Sequence, residues 1–264
     1  LSELYTGDAR RFVEGRGGQV LLRTRAVGFD LDGDGVEVRL ADGRALRAGA
    51  CVSSLPPRVL DRLLPDDQQR RLGLPALGAF ETSPIVSAHL WFDRPILDAE
   101  FLGLIGTRTQ WVFNRSKLAP GASAGGRQFL SAVISAAHDV VEWDTARVAQ
   151  QVVADLQALV PAARAARLLR SVIVKEKNAT VSPTPAAERL RPGVRTRVPS
   201  FFLAGDWIAT GLPPTIESAV LSGEQAAAAL HESLGHRAHR GSRAHGDSVG
   251  SGTSVRSVLE TRPT

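Results

Sequence analysis

The sequence predicts an α/β protein in which a second region adds an antiparallel sheet. Residues 20–47 alternate apolar and polar side chains between turns rich in Gly and Asp, which is typical of a β-meander. Residues 85–135 contain three further segments with the pattern of strands. Residues 201–230 combine a short apolar strand, a loop with Gly and Pro, and a helix. Residues 20–47 and 201–230 thus indicate the α/β part, and residues 85–135 indicate the antiparallel sheet.

The N-terminal region is expected to form a helix, a meander and one buried strand. Leu4–Val13 places its apolar residues on one side, and glycines follow it. Turns are predicted at residues 32–35 and 42–43, because Asp-Gly accepts the positive φ angles of a tight hairpin. The predicted strands are Val20–Phe29, Val36–Leu40, Ala45–Arg47 and Ala50–Leu55, and a helix over Arg58–Leu64 ends at Pro65.

The remaining elements alternate between sheet and helix. The predicted strands are Ile85–Phe92, Gln110–Arg115, Gln128–Ser135, Leu168–Lys175 and Phe201–Ala204. A helix over Asp144–Val160 has Asp144 or Thr145 as its N-cap and stops at Pro161. A last helix over Pro214–Leu230 should bury one face, formed by Ile216, Ala219, Val220, Gly223, Ala226, Ala227 and Leu230.

Composition excludes several classes of protein. The 264 residues carry a net charge of +5, but the arginines are scattered and are not clustered with aromatic residues, so no nucleic-acid partner is expected. No segment reaches the roughly 20 consecutive apolar residues of a membrane span, and the first residues do not resemble a secretory signal. One cysteine, Cys51, rules out an internal disulfide. We therefore expect a cytoplasmic protein without a metal site.

The segment Phe201–Leu230, FFLAGDWIATGLPPTIESAVLSGEQAAAAL, carries the clearest chemistry. A strand ending in Gly205-Asp206 leads through a loop to a helix start, where unpaired amides and a partial positive charge suit an electron-rich ligand. The Asp206 carboxylate can accept hydrogen bonds from ribose-like hydroxyls. A plain structural connection, with Asp206 stabilising the loop, is the alternative, and spacing alone favours it.

Several motifs resemble the amine oxidase/phytoene desaturase superfamily of FAD-dependent enzymes, and within it the hydroxysqualene dehydroxylases. The superfamily feature is Ala204-Gly205-Asp206-Trp207 with Thr210-Gly211-Leu212-Pro213. The features that resemble the subfamily are 83–87 (SPIVS), 89–95 (HLWFDRP), 110–113 (QWVF), 175–180 (KEKNAT) and 191–193 (RPG).

This resemblance implies a partial Rossmann-like FAD-binding domain and a substrate domain whose antiparallel sheet roofs the flavin. It divides the chain into 1–82 and 199–233 for the cofactor, 83–198 for the substrate, and a disordered tail at 234–264. FAD would be bound by the ribityl contact of Asp206, by Gly205, by the backbone amides of Thr215 and Ile216, by the Val27 backbone near adenine, and by the strand end at Ser54.

One departure from the family is large. The family begins with a βαβ unit carrying Gly-x-Gly-x-x-Gly, and this sequence has no such motif. The absence of Met and the helix-like text at Leu1 point in the same direction. We therefore expect a C-terminal fragment that binds FAD weakly or not at all without the missing part.

Three residues are candidates for the substrate pocket. Trp111 and Trp207 could form a wall against a long hydrocarbon, which needs a concave apolar surface. His89 could face the flavin as a proton donor, although a structural histidine is the favoured interpretation. No residue can be assigned as catalytic.

The resemblance implies oxidation–reduction of a triterpenoid, specifically dehydroxylation of hydroxysqualene to squalene in hopanoid biosynthesis. Peripheral membrane contact would give access to such a lipid. Two alternatives stay open: a carotenoid desaturase or amine oxidase of the same superfamily, and a non-catalytic fragment or subunit whose ADP-binding half comes from another chain. An amine-binding cage of tyrosines is disfavoured, because Tyr5 is the sole tyrosine.

Overall fold

The computed structural model describes residues 5–31, 35–119 and 125–244. In chain order the elements are α1 (Thr6–Glu14), β1 (Ala26–Asp30), β2 (Val36–Leu40), β3 (Ala45–Ala48), β4 (Cys51–Ser53), α2 (Pro57–Leu63), α3 (Asp66–Leu72), β5 (Thr82–Phe92), β6 (Phe101–Gly103), β7 (Trp111–Asn114), α4 (Arg115–Leu118), β8 (Gln128–Ile134), α5 (Thr145–Leu159), β9 (Leu168–Val181), α6 (Pro185–Leu190), β10 (Phe201–Leu203) and α7 (Ile216–Ala244). Two short 3₁₀ helices lie between these elements, at Leu77–Ala79 before β5 and at Pro161–Ala165 after α5.

The chain forms two compact units. The first comprises the described parts of Leu1–Phe80 and Pro183–Thr264, and the second comprises those of Glu81–Ser182. The predicted substrate domain, 83–198, begins within two residues of the start of the second unit. It was predicted to end too late, since the structure places residues 183–198 in the first unit. The reason is local: β9 ends at Val181, and the following segment returns to pair with the first unit, where Leu203 N donates to Val194 O at 2.9 Å.

The first unit contains two small sheets. Strands β1, β2 and β3 form the predicted antiparallel meander, and β4 pairs with β10 in parallel. The two sheets are connected through the rings of Phe29 and Phe201, which meet edge to face with centroids 5.3 Å apart. Residues from distant parts of the sequence therefore share one core.

The structure corrects the prediction in three places of the first unit. The strand predicted from Val20 begins only at Ala26, because a turn with a positive φ of 55° at Arg23 precedes it. The helix α3 was not predicted, although acidic residues in its first turn and Gly73 after its end are typical helix signals. The turn predicted at 32–35 lies mostly outside the described residues.

The last helix is also longer than predicted. α7 continues to Ala244, so the predicted disordered tail does not begin at residue 234. Residues 245–264 lie outside the described residues. The composition after Gly235 is poor in large apolar residues, but a helix that has already formed can add residues at little cost, because each one contributes a backbone hydrogen bond.

The second unit is a five-stranded antiparallel sheet in the order β6-β7-β8-β5-β9. One face packs on a hydrophobic core, since alternate residues of β5 (Val86, Ala88, Leu90, Phe92) are buried. The helix α5 contributes Val148, Val152 and Leu156 to the same core. Its predicted N-cap is confirmed, because Asp144 Oδ1 accepts a hydrogen bond from Arg147 N at 2.8 Å. The short strand β6, which includes Gly103, was not predicted.

Candidate functional site

The carboxyl ends of two parallel strands meet at one edge of the first unit. β4 and β10 pair from Cys51 and Phe201 to Ser53 and Leu203, and Ala204 N then donates to Ser53 O at 2.9 Å. Ser54 and Gly205, which come directly after these paired segments, therefore lie next to each other. In open α/β sheets ligands bind at this end of the strands.

Gly205 is required by the geometry of this edge. Its φ is +128°, and a Cβ here would lie 2.9 Å from Trp207 Cδ1 and 3.9 Å from Ser54 O. The backbone turns away from the strand at this point and leaves no space for a side chain. Glycine at this position therefore leaves room for the Trp207 ring.

The prediction that Trp207 lines a substrate wall is wrong. Trp207 is fully buried in the first unit, where its ring packs edge to face on Phe80 at a centroid distance of 5.7 Å. Its Nε1 donates to Leu55 O at 3.1 Å. The side chain joins the end of β4 to the loop after β10 and has no surface left for a substrate.

A buried arginine fixes the loop between β10 and α7. The Arg191 side chain is 1% exposed. Its Nη1 donates to Leu212 O at 2.8 Å, and its Nη2 donates to Asp206 O at 3.1 Å and to Ile208 O. Three carbonyls of one loop thus share one guanidinium, whose planar fork suits several acceptors at once. The sequence analysis quoted Arg191 as part of a family motif but assigned it no role.

Serine hydroxyls hold the loop to the start of α7. Ser222 Oγ accepts from Gly205 N at 2.8 Å, and Ser218 Oγ lies 2.7 Å from Thr210 Oγ1. Within residues 216–235 of this helix, for which burial is described, the buried residues are Ser218, Ser222, Ala226 and Ala229. The predicted buried face is confirmed at Ala226 and in part at Leu230, but it is wrong at Ile216 and Val220, which are 56% and 52% exposed.

The helix start itself is accessible. Thr215 precedes α7, and its Oγ1 accepts from Ser218 N at 3.3 Å, which is an N-cap interaction. Thr215 and Ile216 are both exposed. The first amides of a helix have no partner within the helix, so this end can meet an external acceptor.

The structure brings most of the predicted cofactor residues together. Ser54, Gly205 and Asp206 lie at the edge of the β4–β10 pair, and Arg191 and Ser218 connect Asp206 to the start of α7. Val27 lies further away in the chain, at a register shift in β1 between Ala26 and Gly28. Its side chain is 42% exposed, and a residue at such a shift falls outside the regular pairing of the strands.

Polar groups at this edge fit a hydroxylated ligand. Ser53 is buried, and its Oγ has no hydrogen-bond partner among the described residues. Such a group is costly unless it is paired. Together with the exposed helix start at Ile216, it gives this edge hydrogen-bonding groups of the kind that a flavin nucleotide would use.

The second unit presents a different surface, which we call the aromatic face. It is the side of the sheet opposite the hydrophobic core and comprises His89, Trp91, Trp111, Phe113, Phe129 and Ser131. Trp91 and Phe129 stack with centroids 4.4 Å apart, and Trp111 and Phe113 stack at 6.3 Å. Trp111 is 46% exposed, so the predicted wall residue lies on the surface of this face.

A polar pair lies within the aromatic face. His89 is opposite Ser131 on the neighbouring strand, and Ser131 is in turn opposite Phe113. His89 Nδ1 and Ser131 Oγ are 2.8 Å apart. Burial lowers the pKa of His89, and the nearby positive charge of Arg115 lowers the pKa further. The ring is therefore neutral at pH 7, when it both donates and accepts hydrogen bonds.

The described residues contain neither a cluster of metal-ligating side chains nor a membrane-spanning helix. In residues 5–31, 35–119 and 125–244, no three His, Cys, Asp or Glu side chains come together as a metal site would require. Over the same described ranges, none of the helices has the length and apolar character needed to span a bilayer.

Comparison with known proteins gives the family. The model of flavin-containing amine oxidoreductases matches residues 8–231, which is most of the chain. The chain belongs to this family of flavin-dependent oxidoreductases. Membership confirms the predicted superfamily, which is described as flavin-containing.

The curated relatives of this chain include hydroxysqualene dehydroxylases and phytoene desaturases. The chain is 33% identical over 178 residues to hydroxysqualene dehydroxylase of Sinorhizobium fredii and 34% identical over 181 residues to that of Rhodopseudomonas palustris. Each alignment covers 67% of this chain and 37% of the relative. It is also 28% identical over 230 residues to 15-cis-phytoene desaturase of Synechococcus elongatus, covering 83% of this chain and 48% of the relative. The chain thus spans less than half the length of these relatives.

Solved structures agree on the fold. Putrescine oxidase bound to putrescine superposes with a TM-score of 0.59 at 13% identity, over 89% of this chain and 53% of that structure. Reduced UDP-galactopyranose mutase superposes with a TM-score of 0.57 at 13% identity, over 80% of this chain and 46% of that structure. At such identities the likeness concerns the fold alone, and it confirms the predicted mixed architecture.

Replacement of Gly205 should destabilise the first unit. In Gly205→Ala the positive φ adds strain and the new methyl group overlaps Trp207, so we expect a loss of about 3 kcal/mol in the free energy of unfolding. Gly211→Ala is the control, because φ is +85° there and no atom lies within 4 Å of a Cβ. It should cost only about 1 kcal/mol. Urea unfolding measures both, and equal losses would contradict the proposed crowding at Gly205.

Removal of the Arg191 guanidinium should lower the free energy of unfolding more than removal of an exposed arginine does. Arg191→Gln leaves buried carbonyls without donors, and we expect a loss of about 3 kcal/mol in the free energy of unfolding. Arg195 pairs with Glu232 on the surface, with 52% of its side chain exposed. Arg195→Gln should therefore change stability by less than about 1 kcal/mol. Similar unfolding midpoints for both variants would exclude a special role for Arg191.

His89 should titrate below the ordinary histidine value of 6.5. Because its pKa is lowered in the folded state, the unfolded chain binds more protons, so this group decreases stability as pH falls from 6.5 through the folded pKa and has no effect above 6.5. NMR titration of the imidazole carbons, assigned with His89→Gln, measures it. Arg115→Ala should raise the pKa by removing the adjacent positive charge. An unchanged pKa in that variant would exclude the electrostatic contribution.

Proposed function

We propose that the complete protein is an FAD-dependent oxidoreductase that acts on an isoprenoid, and that its reaction is the dehydroxylation of hydroxysqualene to squalene in hopanoid biosynthesis. The observation that carries this proposal is the aromatic face of the second unit, in a chain whose relatives include hydroxysqualene dehydroxylases at 33% and 34% identity. Peripheral membrane contact is part of the proposal, since such a lipid resides in membranes.

The aromatic face supports an isoprenoid substrate because of its composition. Stacked rings, such as Trp91 on Phe129, offer flat apolar area with little conformational freedom to lose. A long polyene gains its binding free energy mainly by removing apolar surface from water. An amine substrate would instead need carboxylates or a cage around its charge. Within the described face the charged neighbour of the rings is itself cationic, since Arg170 lies 4.9 Å from the Trp91 ring centroid.

The edge of the first unit supports the cofactor assignment. Asp206 would accept hydrogen bonds from the ribityl hydroxyls, and the amides of Thr215 and Ile216 would meet the pyrimidine edge of the flavin. Gly205 and Ser54 would lie along the cofactor, and the Val27 backbone would contact the adenine side. When bound, the flavin supplies or accepts the two electrons of the reaction. The residues of this chain bind it, orient it and exclude water.

The chemistry of dehydroxylation is compatible with a polar pair, His89 and Ser131, within the otherwise apolar aromatic face. The C–O bond of an alcohol breaks and a C–H bond forms with a hydride, that is two electrons and one proton, for which reduced flavin would be the source, and the hydroxyl leaves as water after it gains a second proton. The protein must hold the hydroxyl in place and keep bulk water away from the reacting carbon. A desaturase would remove two hydrogens from a hydrocarbon and would need no polar group in the wall.

Two alternatives remain testable. The relatives also include 15-cis-phytoene desaturases, so a desaturation of carotenoid type is the second candidate. A different class is a non-catalytic fragment, or a subunit whose ADP-binding half comes from another chain. The length of the curated relatives gives this alternative its weight, since the chain spans 37% to 48% of them.

Flavin retention provides the first test of the cofactor assignment. The chain, and a longer version extended by any coding sequence upstream of Leu1, are incubated with FAD and desalted, and flavin absorbance is measured. We expect retention in the longer version and a loss of at least tenfold in affinity in Asp206→Ala, which removes charged hydrogen bonds. Asp67→Ala, on the exposed side of α3, is the matched control. Retention by neither version would favour the non-catalytic alternative.

Substrate identity is tested on the flavin-loaded protein. After anaerobic reduction, hydroxysqualene should reoxidise the flavin and yield squalene, measured by flavin absorbance and by mass spectrometry. Conversion of phytoene by the oxidised form, without any reaction of hydroxysqualene, would replace the proposal with the desaturase alternative.

A further inference from the structure

A histidine–serine pair interrupts the aromatic face at its centre. His89 and Ser131 occupy one cross-strand row with Phe113 and Phe101, and the stacked Trp91 and Phe129 lie in the adjoining row. The His89 ring is 5.9 Å from the Phe129 ring, centroid to centroid. A wall that only had to hold a hydrocarbon would need no polar group here, because burying one without a partner is costly.

The pair leaves one ring nitrogen available. Nδ1 of His89 is engaged with Ser131 Oγ at 2.8 Å, and Ser131 is 8% exposed, so this contact is well sheltered. In the part of the chain that the structure describes, Ser131 is the sole hydrogen-bond partner of the imidazole. The contact fixes the orientation of the ring in the way that a supporting hydrogen bond fixes a functional histidine.

We propose that His89, oriented by Ser131, binds the hydroxyl group of the substrate through Nε2 and makes the aromatic face selective for a hydroxylated polyene over the corresponding hydrocarbon. The inference rests on the proposed function, because it assumes that the aromatic face binds the isoprenoid. It adds which residue recognises the oxygen and why the wall contains a polar pair.

The chemistry of the ring suits a neutral alcohol. A neutral imidazole nitrogen can donate to or accept from a hydroxyl, according to its tautomer. A site built to hydrogen-bond a hydroxyl discriminates against an analogue that lacks it, because the polar group of the protein then stays unpaired. The stacked rings of Trp91 and Phe129 lie in the row on one side of His89, and Trp111 lies in the row on the other side, so apolar surface for the substrate chain is present on both sides of the oxygen. His89 thus acts as a specificity determinant.

Binding of two lipids that differ by one hydroxyl tests the proposal. Hydroxysqualene and squalene, delivered from cyclodextrin, are titrated into the full chain, and the quenching of tryptophan fluorescence gives both dissociation constants. Trp91 and Trp111 lie on the aromatic face and report on its occupancy. We expect the chain to bind hydroxysqualene about tenfold more tightly, which corresponds to one net hydrogen bond.

The variants separate recognition from folding. His89→Leu should bind both lipids equally while its affinity for squalene stays within about twofold, and His89→Gln should retain part of the preference because an amide still bonds to a hydroxyl. Ser131→Ala, a smaller change, should weaken the preference without unfolding the sheet, as circular dichroism verifies. His138→Leu, in an exposed turn, is the control and should behave as the original chain.

The outcomes distinguish the two proposals. Failure of the original chain to bind either lipid would overturn the proposed function, and the hydroxyl site with it. Equal binding of both lipids by the original chain, or a preference that persists in His89→Leu, would overturn the hydroxyl site alone and leave the apolar wall in place.

Discussion

The guanidinium of Arg191 is the interaction on which the proposed cofactor edge depends. The loop between β10 and α7 buries Trp207 and Ile208, and its carbonyls at Asp206, Ile208 and Leu212 all accept hydrogen bonds from one buried guanidinium. A buried charge needs such compensation, since desolvation alone would expel it. Because the same loop positions Gly205 and leads to the start of α7, a side chain remote from any ligand sets the geometry of the groups that would meet one.

The start of α7 shows how this constraint extends into the helix. Ser218 and Ser222 face inward, where their hydroxyls bond to the loop, while Ile216 and Val220 face outward. A helix that only packed on a core would do the reverse. Ser218 and Ser222 are buried because their hydroxyls pair with groups of the loop, whereas Glu217 and Glu224 of the same helix are exposed.

In the second unit, the alternation of side chains along each β-strand gives the sheet two faces of different composition. One set of alternate residues fills the hydrophobic core with α5, and the other set gathers His89, Trp91, Phe129 and Trp111 on the opposite face. A shift of one residue in the register of any strand would exchange the two faces. The stability of the core therefore also determines the composition of the aromatic face, on which the proposed substrate recognition depends.

Resemblance to a known family, and not local physics, gave the flavin chemistry of the motif around Gly205-Asp206. Local patterns in the sequence determined most of the element types and the Asp144 cap. They did so because capping, alternation and close backbone approach act between residues that are near in sequence. Only the tertiary structure decided the rest. It buried Trp207 against Phe80, turned Ile216 outward, extended α7 past residue 234, aimed Arg191 at its loop and joined His89 to Ser131. Each of these depends on which strand or segment lies opposite, and pairings between residues distant in sequence leave no local pattern from which they could be predicted.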